Sequence, residues 1–225
     1  SEKDIIFHNS IGDLDNNFKP TFVVFAIKPQ IMDTVIPDYE RFAGKSTFIS
    51  IAAGKTINYF ETKLGQKAAI IRTMPNTPAA IKRGISVACG NSWVTPKAKK
   101  NCLILLTAVG SASWLEDENK IDAVTAVSGS GPAYVFLLAE AMIQAGIESG
   151  LDQNLASQLA IETISGAGEM LIKSTEDAQT LRKNVTSPGG TTEAALSILI
   201  GKNGMQNIMS RAISMAVKRS KELAD

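Results

Sequence analysis

Two glycine-rich turns hold the residues of this chain best suited to chemistry. One is Ser187-Pro188-Gly189-Gly190-Thr191-Thr192-Glu193, which runs directly into Ala194-Ala195-Leu196, a strong helix-forming string. Pro188 and the paired glycines predict a tight turn, and glycine allows the backbone to approach a ligand closely. The free amides at the start of the following helix, together with its partial positive charge, make a seat for a carboxylate or a phosphate. The plainer alternative is an ordinary helix cap after a Pro-Gly turn, with no ligand at all. The other turn, Ser128-Gly129-Ser130-Gly131-Pro132, also opens a helix. It reads either as an interdomain hinge or as a further set of amides for a ligand. If they converge, the two turns would surround a small anionic substrate.

Other chemistries find little support. His8 is the single histidine, which rules out most catalysis built on histidine pairs. Cys89 and Cys102 lack metal or redox spacing, so no metal site is expected, and both read as buried thiols of a reducing compartment. A G-x-G-x-x-G string after a first strand is absent, and Gly166-Ala167-Gly168 lies inside a helical pattern, where it suits close helix packing. Gly54-Lys55-Thr56 lacks the upstream glycine of a P-loop. Lys28, Lys55 and Lys173 read as solvated side chains, Lys28 gaining a role only if it lies on a ligand-binding rim. A formal charge of +1 over 225 residues speaks against a nucleic-acid or acidic-lipid surface. No signal peptide is visible and no stretch is expected to approach a membrane span, so a cytoplasmic location is expected.

These residues must be positioned by regular elements. Strands are expected at 4–8, 22–27, 47–51, 69–72 and 84–89, the second of them a continuous β-branched and aromatic run suited to a strand buried on both faces. Helices are expected from Thr56 to Gly65 and from Thr95 to Gly110, each opened by a threonine cap. Alternation of this kind predicts an α/β domain with a mostly parallel sheet and ligands outside the carboxyl ends of its strands. Lys28-Pro29, Ala52-Ala53-Gly54 and Pro75-Asn76 are the candidate rim. Composition changes near 116–122, placing one domain at 1–118 and a helical one at 119–225. Helices are expected there at 132–149, 153–173, 176–184, 191–201 and 204–223. Between Ala133 and Ile147 the only charge is Glu140. A helix apolar on every side must be covered on every side, which predicts a homodimer through these C-terminal helices.

The two glycine-rich turns, with Ala26-Ile27-Lys28-Pro29 and Met74-Pro75-Asn76-Thr77-Pro78-Ala79 in the same order, resemble the motifs of the pyrroline-5-carboxylate reductases. The resemblance covers about residues 20–225. It implies an oxidoreductase that reduces 1-pyrroline-5-carboxylate to L-proline with NAD(P)H, the last step of proline biosynthesis, on a Rossmann-like domain followed by an all-α dimerisation domain. Ala26, Ile27, Lys28 and Pro29 would line the cofactor phosphates and ribose. Ala53 would sit near the nicotinamide, and Asn184 would hydrogen-bond it or its ribose. Ser187, Gly190, Thr191 and Thr192 would receive the substrate, Thr192 acting at the ring nitrogen, and Glu118 stands near the acidic residue the family places by the substrate. Family members open with a strand and a glycine-rich fingerprint, and this chain starts after both. Asp4–His8 would then be the second strand, whose end meets the adenosine ribose. Asn9 and Ser10 stand there in place of an acidic residue, which favours NADPH, with NADH the other candidate. A larger ring of dimers is a further option. The rival from another class is a non-catalytic helical dimer scaffold that retains the proline seat. A β-hydroxyacid dehydrogenase is disfavoured, because Val135 stands where its catalytic lysine is expected.

Overall fold

The structure, a computed structural model, describes residues 5–224. Its contacts group into two units: one runs to Gly129 and takes in the chain again from Val217, and the other is Ser130–Ala216. In the first, the apolar runs form strands β1 (Phe22–Phe25), β2 (Thr47–Ser50), β3 (Ala69–Met74) and β4 (Gly84–Gly90), with β5 (Gly110–Trp114) completing a sheet of order β1-β2-β3-β4-β5. β1, β2 and β3 are parallel, with Phe25 opposite Ser50 and Ile49 opposite Ile71. β4 runs antiparallel to β3, Met74 opposite Val87, and β5 is parallel to β4. The reversal follows from chain length. Only residues 75–83 join β3 to β4, fewer than the dozen or more a parallel crossover needs.

Short helices α1 (Met32–Val35) and α2 (Ile57–Leu64) lie in the connections before and after β2, and α3 (Pro96–Leu106) in that between β4 and β5. One cluster is built on Phe25, Phe48 and Phe60, the Phe25 ring stacked 5.8 Å from each of the other two. A second gathers Ile49, Ile71 and Ala88 against Cys102 and Leu106 of α3. Burial in these two clusters pushes the Cys89 thiol up to about 12, helped by the nearby Glu118 charge, and the Cys102 thiol up to about 11. Neither thiol is a nucleophile at neutral pH.

Three expectations are corrected here. Residues 5–8 form no strand, and Asp4 lies outside the described residues. A strand exists only through its ladder of hydrogen bonds, and no described strand pairs with this segment. β5 is the reverse case. Gly110 reads as the end of a helix and Ser111-Ala112-Ser113-Trp114 carries no strand pattern, yet β4 provides a parallel edge for the segment. α3 accordingly stops at Leu106 and a 3-10 turn, Thr107–Val109, leads into the strand. Lastly, one run, Glu118–Glu148, is by length and composition long and apolar enough to cross a membrane, an 18-residue stretch of it having a mean hydropathy of 1.3. The sequence suggested a break at Ser128–Pro132. Instead α4 (Ile121–Val124) passes into a π-helical turn, Thr125–Gly129, and then into α5 (Gly131–Glu148).

The Ser130–Ala216 unit is helical: α5, α6 (Gln153–Lys173), α7 (Ala178–Asn184), α8 (Thr191–Leu199) and most of α9 (Met205–Glu222). Asp152 caps α6 and Asp177 caps α7, each side chain accepting from backbone amides of the first turn. α5 and α6 pack closely where Gly146 faces Ala156. Across the whole unit the buried apolar side chains are Ala156 and Ala160.

The last residues of α9 belong to the first unit. There Ser220 donates to Asp122 at 2.6 Å, and the Leu223 carbonyl approaches Gly54 so closely that a Cβ would come within 2.6 Å of its oxygen. Gly54 also has φ +76°. Gly54→Ala should therefore lower the melting temperature, at a cost of about 1–3 kcal/mol for the backbone conformation alone. A melting temperature equal to that of the parent would show that the turn relaxes freely.

Candidate functional site

Parallel pairing of β1, β2 and β3 places their carboxyl-terminal turns side by side. The chain leaves β1 at Phe25 through exposed Ala26 and half-buried Ile27 to exposed Lys28, which starts a 3-10 turn at Pro29. Proline at the first position of that turn removes a donor that would have no partner there. On the next strand, Ile51 N donates to Phe25 O at 3.2 Å, and exposed Ala53 follows two residues later. Ala26, Ile27, Lys28, Pro29 and Ala53 thus belong to one rim, with Pro75–Asn76 beyond β3 on its other flank. The rim presents exposed Ala26 and Ala53 and an exposed cation, Lys28.

Two other predicted residues of this unit have structural duties. Ser10 caps the 3-10 turn Ile11–Asp13: its Oγ accepts from Gly12 N, while Asp13 Oδ2 accepts from the amides of Asn9 and Ser10. Glu118 Oε1 accepts from Arg72 Nη1 at 2.8 Å and from Ile57 N, the first amide of α2, at 2.9 Å. Arg72 is buried within the sheet, its side chain 7% exposed. One carboxylate therefore neutralises a buried cation and caps the helix that follows the Ala53–Gly54 turn.

The other predicted residues lie on one continuous segment of the helical unit. α7 ends at Asn184, Thr186 closes the turn by donating to Arg182 O at 2.7 Å, and Gly190 stands at the N-cap of α8. Gly190 has no side chain to cap with. Glu193, at the third helical position, instead reaches back and accepts from Gly189 N at 2.7 Å. Ala194 N makes the first intrahelical bond, to Gly190 O, so the amides of Thr191, Thr192 and Glu193 precede the helical ladder. Ser187 and Thr191 are exposed and Thr192 half-buried. The Asn184 side chain is held too, its Nδ2 donating to Glu176 Oε2 at 3.0 Å. α7 and α8 also flank a cavity of about 390 Å³ lined by Arg182, Lys183, Thr186, Glu193, Leu196 and Ile200, among others. It takes Glu193 from the seat, but not Ser187, Thr191 or Thr192.

Residues 118–223 match the family described as pyrroline-5-carboxylate reductase dimerisation. A pyrroline-5-carboxylate reductase of Pseudomonas aeruginosa is 44% identical over 90% of this chain and 74% of its own length. This chain belongs to the pyrroline-5-carboxylate reductase family. Among solved structures, the reductase of Coxiella burnetii superposes with a TM-score of 0.87 at 35% identity, over 91% of this chain and 76% of that one. The Plasmodium falciparum pyrroline carboxylate reductase with NADP bound gives 0.81 at 34% identity, over 91% and 78%. The long apolar run Glu118–Glu148 thus falls inside the segment that matches a reductase dimerisation domain.

Sequence reasoning missed two groups in this reductase fold, Glu176, which orients Asn184, and the Arg72 partner of Glu118; it placed Asn76 on the rim without its partners, Ile85 N and Ser128 O. Glu193, three residues past a glycine N-cap, did carry a local signal, because a glutamate at that position commonly reaches back to close a cap. The Arg72–Glu118 pair carries none, its members being 46 residues apart. Glu118→Ala should destabilise the protein by about 3 kcal/mol, the low end for a buried pair, because Arg72 is left buried while the Glu118 side chain is 29% exposed. Glu118→Gln keeps an acceptor for Ile57 N–H and should lose less. Urea midpoints of the two variants measure the difference.

Proposed function

We propose that this chain reduces 1-pyrroline-5-carboxylate to L-proline with NAD(P)H, the last step of proline biosynthesis. The observation that carries the proposal is the start of α8, where the amides of Thr191, Thr192 and Glu193 precede the helical ladder directly after the Ser187–Gly190 turn, in a chain of the reductase family. The substrate carboxylate is taken to sit on the Thr191 and Thr192 amides, beside Ser187 and Gly190. Each charge-assisted bond of this kind contributes about 1.5–3 kcal/mol.

For the cofactor we assign Ala26, Ile27, Lys28 and Pro29 to the phosphates and ribose, and Ala53 to the nicotinamide. The rim suits that assignment through its small side chains and exposed lysine. Because Glu176 occupies the Asn184 amide nitrogen, Asn184 keeps its carbonyl oxygen for an N–H donor such as a carboxamide. NADPH is the preferred form, on the neutral Asn9–Ser10 pair and the NADP carried by the Plasmodium relative; NADH is the alternative. Bound there, the cofactor supplies the hydride.

What remains for the protein is alignment and one proton. The cyclic iminium is already electrophilic, so holding the carboxylate and ring in register is the principal task, and such positioning supplies roughly 7–11 kcal/mol at its upper limit. Thr192 orients the imine nitrogen through its hydroxyl and relays the proton from water, being itself far too weak an acid to protonate the ring outright. Glu118, bound to Arg72 and Ile57, keeps a second carboxylate oxygen for the substrate side.

The protein is further proposed to act as a homodimer through residues 119–225. α5 exposes Phe136 at 62% and Leu137 at 64% in the single chain, an apolar surface that a second copy would cover. We read that surface as protein interface in a cytoplasmic enzyme, in keeping with two free buried thiols.

NADPH oxidation dependent on pyrroline-5-carboxylate tests the activity directly, and its absence from purified protein would overturn the proposal. Thr192→Ala should lower kcat about 10- to 100-fold with an unchanged melting temperature; equal turnover would remove Thr192 from the mechanism. Sedimentation at micromolar concentration should give a dimer or a multiple of it, and a stable monomer would refute the interface.

A further inference from the structure

Asn76 stands where an asparagine normally caps the turn it begins, ahead of the 3-10 turn Thr77–Ile81, yet its side chain makes no capping bond there. Both ends of its amide are used elsewhere. Oδ1 accepts from Ile85 N, in the opening of β4, at 2.9 Å. Nδ2 donates to Ser128 O, in the π-helical turn, at 3.2 Å. A π-helical turn is an uncommon departure from helical geometry that clusters at functional positions. This one is held from several sides. Thr125 and Ser128 donate their hydroxyls back to Ile121 O and Val124 O. From β3, Met74 lies against Gly129, where a Cβ would come within 2.5 Å of its Cε.

We propose that Asn76 is a positioning residue of the reductase reaction, acting through the Ser128 carbonyl to fix the backbone of the Ser128–Gly131 turn. The side-chain requirement is specific. The position needs an acceptor on one side and a donor on the other, at the reach of a single methylene. Aspartate offers acceptors only, alanine neither, and glutamine is one methylene too long. The residue lies at the end of β3, on the flank of the rim assigned to the cofactor, and tethers it to the turn that opens α5. The inference rests on the proposed activity, since the turn matters to catalysis only if the reaction takes place.

Two variants separate the bonds. Asn76→Asp keeps the acceptor for Ile85 N and replaces the donor to Ser128 O with a second acceptor, whereas Asn76→Ala removes both. Both should lower kcat by about tenfold to a hundredfold, the effect of misplacing a catalytic element by around an ångström. The KM for NADPH should stay within about twofold. Amide exchange followed by mass spectrometry should quicken at Gly129–Ala133 in Asn76→Asp and stay unchanged across β4. Wild-type kcat in Asn76→Asp, or unaltered exchange at the turn, would overturn the assignment, as would parallel losses in NADPH binding and turnover. If the parent chain itself fails to oxidise NADPH with pyrroline-5-carboxylate, the proposed activity fails instead, and the exchange measurement still reads the hold of Asn76 on the turn.

Discussion

Water is a poor solvent for the helical unit of this chain. α5 is apolar around nearly its whole circumference, and α6 and α8 leave Ile161, Ile172 and Ile198 exposed in the single chain. The one well-packed seam, Gly146 against Ala156, works because both residues are small enough for two helix backbones to come close. Two buried alanines cannot offset the ordering of more than eighty residues, so the unit depends on apolar surface being removed from water by another body. That dependence explains why a dimerisation family matches this part of the chain. It also explains how a helix with the length and hydropathy of a membrane span belongs to a family of reductases.

In the sheet-bearing unit the constraint is different, because two apolar clusters are buried within it and the polar groups are what need care. Arg72 is buried in β3 and would destabilise the sheet without a partner; Glu118 provides one and caps α2 with the same oxygen. Asn76 takes up a β4 amide and a carbonyl of the π-helical turn. Both side chains join elements that are distant in sequence, and both lie next to turns assigned to the cofactor or the substrate. Rigid support of this kind matters for a reaction that relies on alignment more than on strong acids and bases. A hydride moves correctly only when two rings are held within a narrow range of distance and angle. The side chains that the proposed site assigns to them are small or neutral: alanine, serine, threonine and asparagine.

The sequence alone determined most of the element plan. Continuous apolar runs gave β1 through β4 to within a few residues, although β1 is not buried on both faces as expected: Val24 is 47% exposed between buried Val23 and Phe25. The threonine caps at Thr56 and Thr95 located α2 and α3 through a local bond from side chain to amide. The glycine turn before α8 was legible for the same reason, being short-range chemistry written in adjacent residues. The apolar circumference of α5 was equally plain, since it depends on composition and the helical period alone.

Tertiary structure decided everything that depends on what lies next to what. Gly110–Trp114 is a strand only because β4 offers it an edge, and the segment after Asp4 is not one for want of a described partner. β4 runs backwards because nine residues cannot cross the sheet. Ser128–Gly129 lies in a π-helical turn rather than a break, with Asn76 bonded to Ser128 O and Met74 against Gly129. The partners of Glu118 and Asn76 lie 46 to 61 residues away for the first and 9 and 52 for the second. No period or motif encodes such pairs; they exist because burying a donor or acceptor without a partner costs more than bringing two distant segments together.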